Sequence, residues 1–419
     1  MKLGHRAGAL LAASVLAAAS GCSTKAPDTA TGGGGGGGGE GEVAVGRGIE
    51  GSTINLGVLT DLTGVFAALG ADLSNAHTLF WEKQNAGDKV CGEYTVELDT
   101  QDTGYVPANG VQLYSGMKDE VLAMQQTIGS PINAALSEQY EAESVVNIPP
   151  AWARSLTQLP GNATPGATYD VELTNGLSYA LDEGLIKEGD KIGHIYFEGE
   201  YGAGGLEGSK YMATKHDFKI VEAKLKADAA DMSSKITQFK AAGVKAIALT
   251  VAPTQTASAA GEAAAQGLDV PIIGSNPVFA PGLLKGPAAA ALKKNLIIAS
   301  PSNTFDKHPE LLKEYPAKYP NVTSPSNGVI VGTGMSDIMA QILEKACEDG
   351  DLTPEGVLKA KTSLDNVETG GLIVPLDFSK VGESPSRKNF IVQPADVPGG
   401  AKALTDAIES PDVAGLTGG

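Results

Sequence analysis

Short runs of β-branched and apolar residues alternate with longer segments of helical periodicity over most of the chain. Residues 53–60 and 191–197 are typical of strands. Residues 71–86 carry apolar side chains at helical spacing and are followed by Gly87, which predicts the end of a helix. Because this alternation recurs up to residue 393, the pattern predicts an α/β fold with parallel sheets and right-handed crossovers.

The remaining elements follow from the same periodicities. The predicted strands are 53–60, 94–100, 121–128, 145–149, 191–197, 219–224, 246–251, 271–274, 296–299, 373–376 and 389–393. The predicted helices are 71–86, 107–118, 132–144, 201–215, 232–242, 255–266, 327–346 and 353–363. We expect Asp231 to cap the helix at 232, and we interpret Gly202, Gly204 and Gly205 as a turn. Residues 399–419 predict a loose tail.

The N-terminal residues 1–21 have the pattern of a signal peptide. Two basic residues precede an uncharged apolar run at 7–19, which is too short to cross a bilayer core of about 30 Å. The run ends in Ala-Ser-Gly before Cys22, which resembles a bacterial lipobox, although the position three before the Cys is Ala instead of the usual Leu. We expect Cys22 to be lipidated; the alternative is ordinary secretion. Residues 22–51 contain eight consecutive Gly and predict a flexible tether.

Composition limits which classes of partner and which cellular compartment are expected. The chain has 49 Asp+Glu against 31 Lys+Arg, a net charge of −18, which argues against nucleic acid as a partner. No later segment has 18 uninterrupted apolar residues, so we expect a soluble body whose link to the membrane is the lipid alone. Three Cys are too few for a disulfide scaffold. An extracytoplasmic location permits Cys91 and Cys347 to pair, but the sequence leaves the pairing open.

Catalytic chemistry has little support in the sequence. The His residues lie apart from one another and from Cys, so no metal site is expected, and each is interpreted as a surface or strand histidine. No nucleophile elbow and no phosphate-binding loop is present. Asp61, Asp99 and Asp102, near predicted strand ends, are interpreted as solvated loop residues. We therefore expect neither an enzyme nor a cofactor.

Several motifs, in their order and spacing, resemble the type I periplasmic binding proteins of the leucine/isoleucine/valine-binding branch. These proteins are receptors of ABC importers. The resemblance covers roughly residues 53–395. It is carried by Ile54–Gly64 (INLGVLTDLTG), Asp99–Gly104 (DTQDTG), Asn147–Ala151 (NIPPA), Glu200–Gly202 (EYG), Asp231–Ile236 (DMSSKI), Gly243–Ile247 (GVKAI), Gln266–Gly274 (QGLDVPIIG) and Leu352–Val357 (LTPEGV).

The resemblance implies two Rossmann-like lobes with parallel central sheets, joined by three inter-lobe crossovers near residues 170, 300 and 372. Lobe 1 then spans 52–170 and 300–372, and lobe 2 spans 171–299 and 373–398. Two independent consecutive domains are the alternative. Ligands of open parallel sheets bind at the carboxyl ends of strands, so facing lobes would enclose a cleft.

The resemblance also implies a set of ligand-binding residues. Ser130 matches a small hydroxyl residue at a helix start that holds the ligand carboxylate, where free N–H groups and the helix dipole favour an anion. A simple N-cap is the alternative role. Ala151 matches a position whose carbonyl accepts from the ligand amine, and Tyr201 matches an aromatic residue that closes over the ligand.

Departures from the family pattern weaken the case for an α-amino acid. The usual Thr is Ala153, the usual Tyr is Ala252, and the Glu that pairs with the ligand ammonium is replaced by Asn276. Apolar surface is expected from three aromatic residues, which are alternatively plain core: Phe66, Trp152 and Phe279.

The sequence therefore predicts a lipid-anchored, extracytoplasmic substrate-binding protein of an ABC importer. It would capture a small amino acid, amide or apolar organic acid in a cleft that closes on binding, and would then dock on the permease. A ligand-sensing envelope lipoprotein of the same fold, which regulates a partner instead, is the alternative.

Overall fold

The computed structural model describes residues 43–416. The predicted signal peptide and Cys22 lie outside the described residues. The end of the predicted tether was wrongly assigned as flexible, because residues 44–50 form two short strands. Arg47 fastens this segment by donating hydrogen bonds to the carbonyl oxygens of Val121 and Glu143, at 3.3 and 3.2 Å.

The described residues form thirteen strands and eleven α-helices. The strands are β1 (Ala44–Val45), β2 (Ile49–Glu50), β3 (Thr53–Thr60), β4 (Thr95–Asp102), β5 (Ala123–Thr127), β6 (Lys191–Phe197), β7 (Lys219–Leu225), β8 (Ala246–Thr250), β9 (Ile272–Ser275), β10 (Leu296–Ser300), β11 (Asp351–Leu352), β12 (Phe390–Pro394) and β13 (Ala401–Ala403). The helices are α1 (Ala67–Ala86), α2 (Pro107–Met117), α3 (Ser130–Ala142), α4 (Tyr169–Asp182), α5 (Glu200–His216), α6 (Ser233–Ala242), α7 (Pro253–Ala265), α8 (Ala289–Asn295), α9 (Pro309–Lys318), α10 (Gly328–Glu348) and α11 (Pro354–Ser363).

Two main sheets organise the described residues. In the first sheet, β3 pairs in parallel with β4 on one side, and on the other side with β5 in parallel and β2 antiparallel. The second sheet has the order β13-β12-β10-β9-β8-β6-β7. Its strands from β10 to β7 are parallel, and β12 and β13 are antiparallel. The α/β fold expected from the sequence is confirmed. Each sheet also has antiparallel strands at one edge: β2 in the first, and β12 and β13 in the second.

The chain passes between the two sheets three times. It leaves β5 of the first sheet and reaches α4, which packs on β9 and β10 of the second. It returns after β10 to α10, which packs on α1, and it crosses again after α11 to reach β12. Each half of the molecule is therefore assembled from separate stretches of sequence.

Several predicted elements were wrong in detail. Residues 145–149 and 373–376 form only isolated bridges. Asn147 bridges to Met124 and Asn162, Ile373 to Ser302, and Leu376 to Val367. The predicted loose tail is ordered over the residues described, 399–416, since β13 pairs with β12 and Val413 is fully buried. The helix predicted from residue 232 begins at Ser233, and Asp231 accepts from the N–H of that first residue at 2.8 Å.

The Gly-rich segment assigned as a turn lies inside α5. A Cβ on Gly202 would collide with the Phe197 carbonyl oxygen, and a Cβ on Gly205 with the side chain of Thr250. A Cβ on Gly208 would collide with the carbonyl oxygen of Asp170 in α4. These glycines let α5 pack closely on the second sheet and on α4.

The disulfide left open by the sequence is formed between Cys91 and Cys347, with a Cα–Cα distance of 6.1 Å. It joins the turn before β4 to the last turn of α10, across 256 positions of sequence. Of the helices described, none has the length and apolar character needed to span a membrane.

Candidate functional site

A cavity lies where the carboxyl ends of the strands of both sheets meet. From the first half it is lined by Phe66 at the start of α1, and by Leu69 and Leu73 one and two turns further along that helix. Tyr105 follows β4 and Gly129 follows β5, so both lie at the carboxyl edge of the first sheet. Strand ends of a parallel sheet are where ligand sites are expected.

The second half and the crossing segments close the opposite wall. Tyr201 at the start of α5 and Asn276 and Phe279 after β9 come from the second half. Trp152 and Tyr169 lie on the first crossing between the sheets. Because both halves and the connection between them contact the same space, a molecule held there would bind all three.

The wall is largely apolar and carries no charged side chain. None of the described residues that line the cavity is an Asp, Glu, Lys, Arg or His. The cavity encloses about 560 Å³ of empty space including its mouth. An ionised group inside would have no side chain of opposite charge, and its polar partners would be hydroxyl, amide and N–H groups.

Five aromatic rings form one continuous cluster along the cavity. The ring of Phe66 meets Tyr105 edge to face at 4.9 Å between centroids and Tyr201 at 6.3 Å. Tyr169 lies 4.5 Å from Tyr201 and 6.0 Å from Trp152. Such contacts add to area burial and hold each ring in one orientation. The cluster therefore connects the two halves across the cleft.

Tyr201 lines the cavity with its ring while its hydroxyl is engaged elsewhere. The hydroxyl donates to the carbonyl oxygen of Val251 and pairs with Ser275 Oγ, both at 3.1 Å. Burial raises the pKa of Tyr201 well above its ordinary value, so the phenol stays neutral. Its contribution to the cavity is apolar surface, and its hydroxyl ties together the ends of β8 and β9.

The loops that carry Phe66 and Tyr105 are braced by two carboxylates. Asp61 accepts from the backbone N–H of Gly64 at 2.5 Å and of Phe66 at 2.9 Å. Asp102 accepts from the N–H groups of Leu62 and Gly104, each at 2.9 Å. The interpretation of Asp61 as solvated was wrong, because its side chain is fully buried and organises the turn after β3.

Ser130 is the first residue of α3. It directly follows Gly129, which lines the cavity, but Ser130 is not itself a lining residue. It is 1% exposed, and neither its Oγ nor its backbone N–H has a hydrogen-bond partner among the described residues. A buried unpaired hydroxyl is uncommon in native structures. The alternative role of Ser130 as a side-chain cap finds no bond in this structure.

The other expected ligand residues divide into two groups. Phe66, Trp152, Tyr201, Asn276 and Phe279 line the cavity. Three alanines are buried behind the wall and do not line it: Ala151, Ala153 and Ala252.

Tyr105 and Tyr169 are cavity residues that the sequence reasoning missed. Tyr105 directly follows the motif ending at Gly104, which was a usable signal. Tyr169 opens α4, a helix that was not predicted.

A buried acid lies behind the cavity wall. Glu172 is one turn after Tyr169 in α4, is fully buried, and accepts from the backbone N–H of Asn276 at 2.9 Å. Its other oxygen has no hydrogen-bond partner in the described part of the chain. Burial raises the pKa of Glu172 well above its ordinary value, which favours the neutral form of the carboxyl. Glu172 does not itself line the cavity.

The histidines lie away from this site. His77 was wrongly assigned to a surface or a strand: it is fully buried in α1, between Ser336 Oγ at 2.8 Å and Gln126 Oε1 at 3.0 Å. His194 is buried in β6 beside Thr250 Oγ1 at 3.0 Å. Burial lowers the pKa of His77 to about 4 and that of His194 to about 3. Within the described chain, no three His, Cys, Asp or Glu residues are grouped to hold a metal ion.

The fold and the uncharged cleft define a solute-binding protein of the ABC-transporter class. The family model of periplasmic binding proteins matches residues 53–401, and the chain belongs to this family of extracytoplasmic binding proteins. The resemblance seen in the sequence is thereby confirmed, and the family is one of binding proteins and not of enzymes. No curated protein matches the chain in sequence.

Solved structures share the whole fold. A fatty acid ABC transporter substrate-binding protein from Thermomonospora curvata is 37% identical, with a TM-score of 0.86, over 89% of this chain and 96% of that one. A branched chain amino acid ABC transporter protein from Thermus thermophilus with bound valine is 18% identical, with a TM-score of 0.77, over 90% and 100%. A solute binding protein from Rhodopseudomonas palustris BisB5 in complex with 3,4-dihydroxy benzoic acid is 22% identical, with a TM-score of 0.70, over 86% and 99%. The last two show the fold alone.

Proposed function

We propose that the protein captures a monocarboxylic acid with an unbranched apolar chain, of the fatty acid class, for an ABC importer. The observation that carries this proposal is the cavity lined by aromatic and aliphatic residues without a charged side chain. Burial of each methylene group against such a wall is favourable, so an alkyl chain gains more there than a polar molecule does. The similarity to the fatty acid ABC transporter substrate-binding protein, at 37% identity, supports the same ligand class.

An α-amino acid fits this cavity poorly. Its ammonium needs a carboxylate or several acceptors when it leaves water. Asn276 stands at the position of the expected acid, and burial of the nearby Glu172 raises its pKa, which favours the neutral form. A ligand that has a carboxylate but no ammonium group fits better than an amino acid does. The unpaired N–H and Oγ of Ser130 at the start of α3 are donors for the carboxylate.

Binding would favour the closed arrangement of the two halves. A ligand that contacts Phe66 on one side, Tyr201 on the other and Trp152 on the crossing binds best when these walls are close together. A ligand shifts a conformational equilibrium only by its differential affinity for the two states, and three-sided contact supplies that difference. In this proposal the permease recognises the closed protein.

The route to the membrane also belongs to this proposal. Lipidation of Cys22 would hold the protein at the outer face of the membrane, and the glycine-rich segment would let it reach the permease. Radiolabelled palmitate incorporation into the wild type and into Cys22→Ser tests the anchor. Labelling of both or of neither would contradict it.

The chain offers a built-in probe for the ligand. It has two tryptophans, and Trp81 is buried away from the cavity, where its Nε1 donates to Gln125 Oε1 at 3.0 Å. In Trp81→Phe the remaining tryptophan, Trp152, lines the cavity and reports on its contents.

We expect delipidated Trp81→Phe to show saturable fluorescence changes with saturated fatty acids. Each added CH₂ group should strengthen binding about fourfold until the cavity is filled, because its burial is worth about 0.8 kcal/mol. Leucine and benzoate are the comparison ligands. Saturable binding of leucine, with no response to octanoate through hexadecanoate, would overturn the proposal.

A further inference from the structure

Tyr105 has a backbone conformation that bulky residues rarely adopt. Its φ is +61°, in the left-handed region, and the preceding Gly104 has a φ of +59°. The turn is held by local hydrogen bonds: the N–H of Gly104 donates to Asp102 Oδ1 at 2.9 Å, and that of Tyr105 donates to Thr103 Oγ1 at 3.2 Å. Such outliers persist where the surrounding structure over-determines them, often at binding sites.

The ring of Tyr105 is held in one place against Gly129. A Cβ at Gly129, which has a φ of +92°, would lie 2.5 Å from Tyr105 Cε2 and 3.3 Å from Cζ, the atom that carries the hydroxyl. The ring also meets Phe66 edge to face, at 4.9 Å between centroids. One edge of the Tyr105 ring therefore lies against Gly129, the residue that directly precedes Ser130 and α3.

The hydroxyl of Tyr105 has no hydrogen-bond partner among the described residues, although the ring lines the cavity. Other tyrosines do have partners: Tyr140 pairs with Thr127 Oγ1 at 2.8 Å, and Tyr315 donates to Asp72 Oδ1 at 2.6 Å. Burial, with the charges of Asp61 and Glu200, raises the pKa of Tyr105, so this phenol remains a donor at neutral pH.

We infer that Tyr105 is a specificity-determining residue whose hydroxyl donates a hydrogen bond to the carboxylate of the ligand, beside the Oγ and N–H of Ser130. This inference rests on the proposed function, since it assumes a carboxylate in the cavity. Two hydroxyls and one N–H group would then surround the acid group, while the alkyl chain extends along Leu69 and Leu73. An acid would be preferred over its ester because hydrogen bonds to an ionised acceptor are the stronger ones.

The test compares Tyr105→Phe with the wild type, using hexadecanoate and its methyl ester as probes and calorimetry as the readout. We expect Tyr105→Phe to bind hexadecanoate at least about tenfold more weakly, and the ester within about threefold of wild type. Its Tm without ligand should be unchanged or higher, because the lost hydroxyl has no protein partner. A matched control is Tyr140→Phe, which loses a buried bond to Thr127 and should lower the Tm without changing affinity.

The contrary outcomes separate the two claims. Wild-type affinity of Tyr105→Phe for hexadecanoate overturns the role of Tyr105 and leaves the proposed function standing. Equal losses for the acid and the ester, with a lowered Tm, show a structural role and also overturn the inference. Absence of hexadecanoate binding to the wild type overturns the proposed function and this inference together.

Discussion

Asp61 Oδ2 accepts a hydrogen bond at 2.9 Å from the backbone N–H of Phe66, and this bond places the aromatic ring in the cleft. The acid is fully buried at the end of β3, and its second oxygen accepts from Gly64. The ring it positions touches Tyr105 of the same half and Tyr201 of the other. A structural carboxylate thus controls the wall of the cavity without touching its interior.

Replacing Asp61 should disturb both stability and binding. We expect Asp61→Ala to lower the free energy of unfolding by about 2–4 kcal/mol, because two N–H groups lose a charged acceptor. Ligand affinity should also fall, since Phe66 is no longer held. Asp99→Ala is the matched control. Among residues 43–416, Asp99 accepts only from the side chain of Gln101, so the free energy of unfolding should change by no more than about 0.5 kcal/mol. Urea denaturation measures the free energy of unfolding of both variants. Equal stability of Asp61→Ala and Asp99→Ala would contradict the structural role of Asp61.

Ser130→Ala should weaken ligand binding without a cost in stability. Neither Ser130 Oγ nor its N–H has a partner among the described residues, so the variant loses no bond within the protein. A hydrogen bond to a charged ligand group is worth about 1.5–3 kcal/mol, which corresponds to a loss of roughly tenfold or more in affinity. Thermal unfolding measures the stability of the variant, and calorimetry on the same preparation measures its affinity for the ligand. A lowered Tm with unchanged affinity would show that Ser130 is structural.

Glu172 should make the fold less stable as the pH rises. Burial raises its pKa in the folded protein, while in the unfolded chain the carboxyl ionises near pH 4.3 by the usual value. Above that pH the unfolded state binds fewer protons than the native state, so stability from this group falls with rising pH until the folded pKa is passed.

Glu172→Gln should remove this dependence, because an amide oxygen can still accept from the N–H of Asn276. We expect the variant to unfold at the wild-type denaturant concentration near pH 4 and at a higher one at pH 8. If the stabilities of the two proteins change with pH in the same way, Glu172 is not a buried neutral acid.

The disulfide should contribute to stability and not to the ligand site. Cys91→Ser with Cys347→Ser opens a bridge spanning 256 positions, and removal of a native disulfide typically costs about 2–5 kcal/mol. Neither cysteine lines the cavity, so affinity should be retained. Guanidinium denaturation with and without a reducing agent checks the first statement. A large loss of affinity in the folded variant would indicate that α10 has moved relative to the cleft.

The sequence predicted the strand and helix alternation well because it is a local pattern. Most predicted strands lie within two residues of the observed ones, and 191–197 coincides with β6. Helix α4 was missed because it is buried on nearly every side, so it has no polar face to give a periodic signal. The glycines of α5 were misread because close packing on another element, which permits glycine inside a helix, is a tertiary property.

The site was partly predictable for a related reason. Phe66, Tyr201 and Phe279 follow strand ends or motifs that the sequence marks, and they line the cavity. Tyr169 and Asn327 lie beside crossings between the sheets, where no periodic pattern places them. The burial of Ala252 behind the wall likewise depends on how α7 packs, which no local pattern records.

The central claim is that the cleft holds a monocarboxylate with an apolar chain. Native mass spectrometry of the delipidated protein, mixed with equal concentrations of hexadecanoate, leucine and 3,4-dihydroxybenzoate, tests it in one competition. We predict a single complex, of mass equal to one protein plus one hexadecanoate, that is depleted in Ser130→Ala. A dominant complex with leucine or with dihydroxybenzoate would contradict the account.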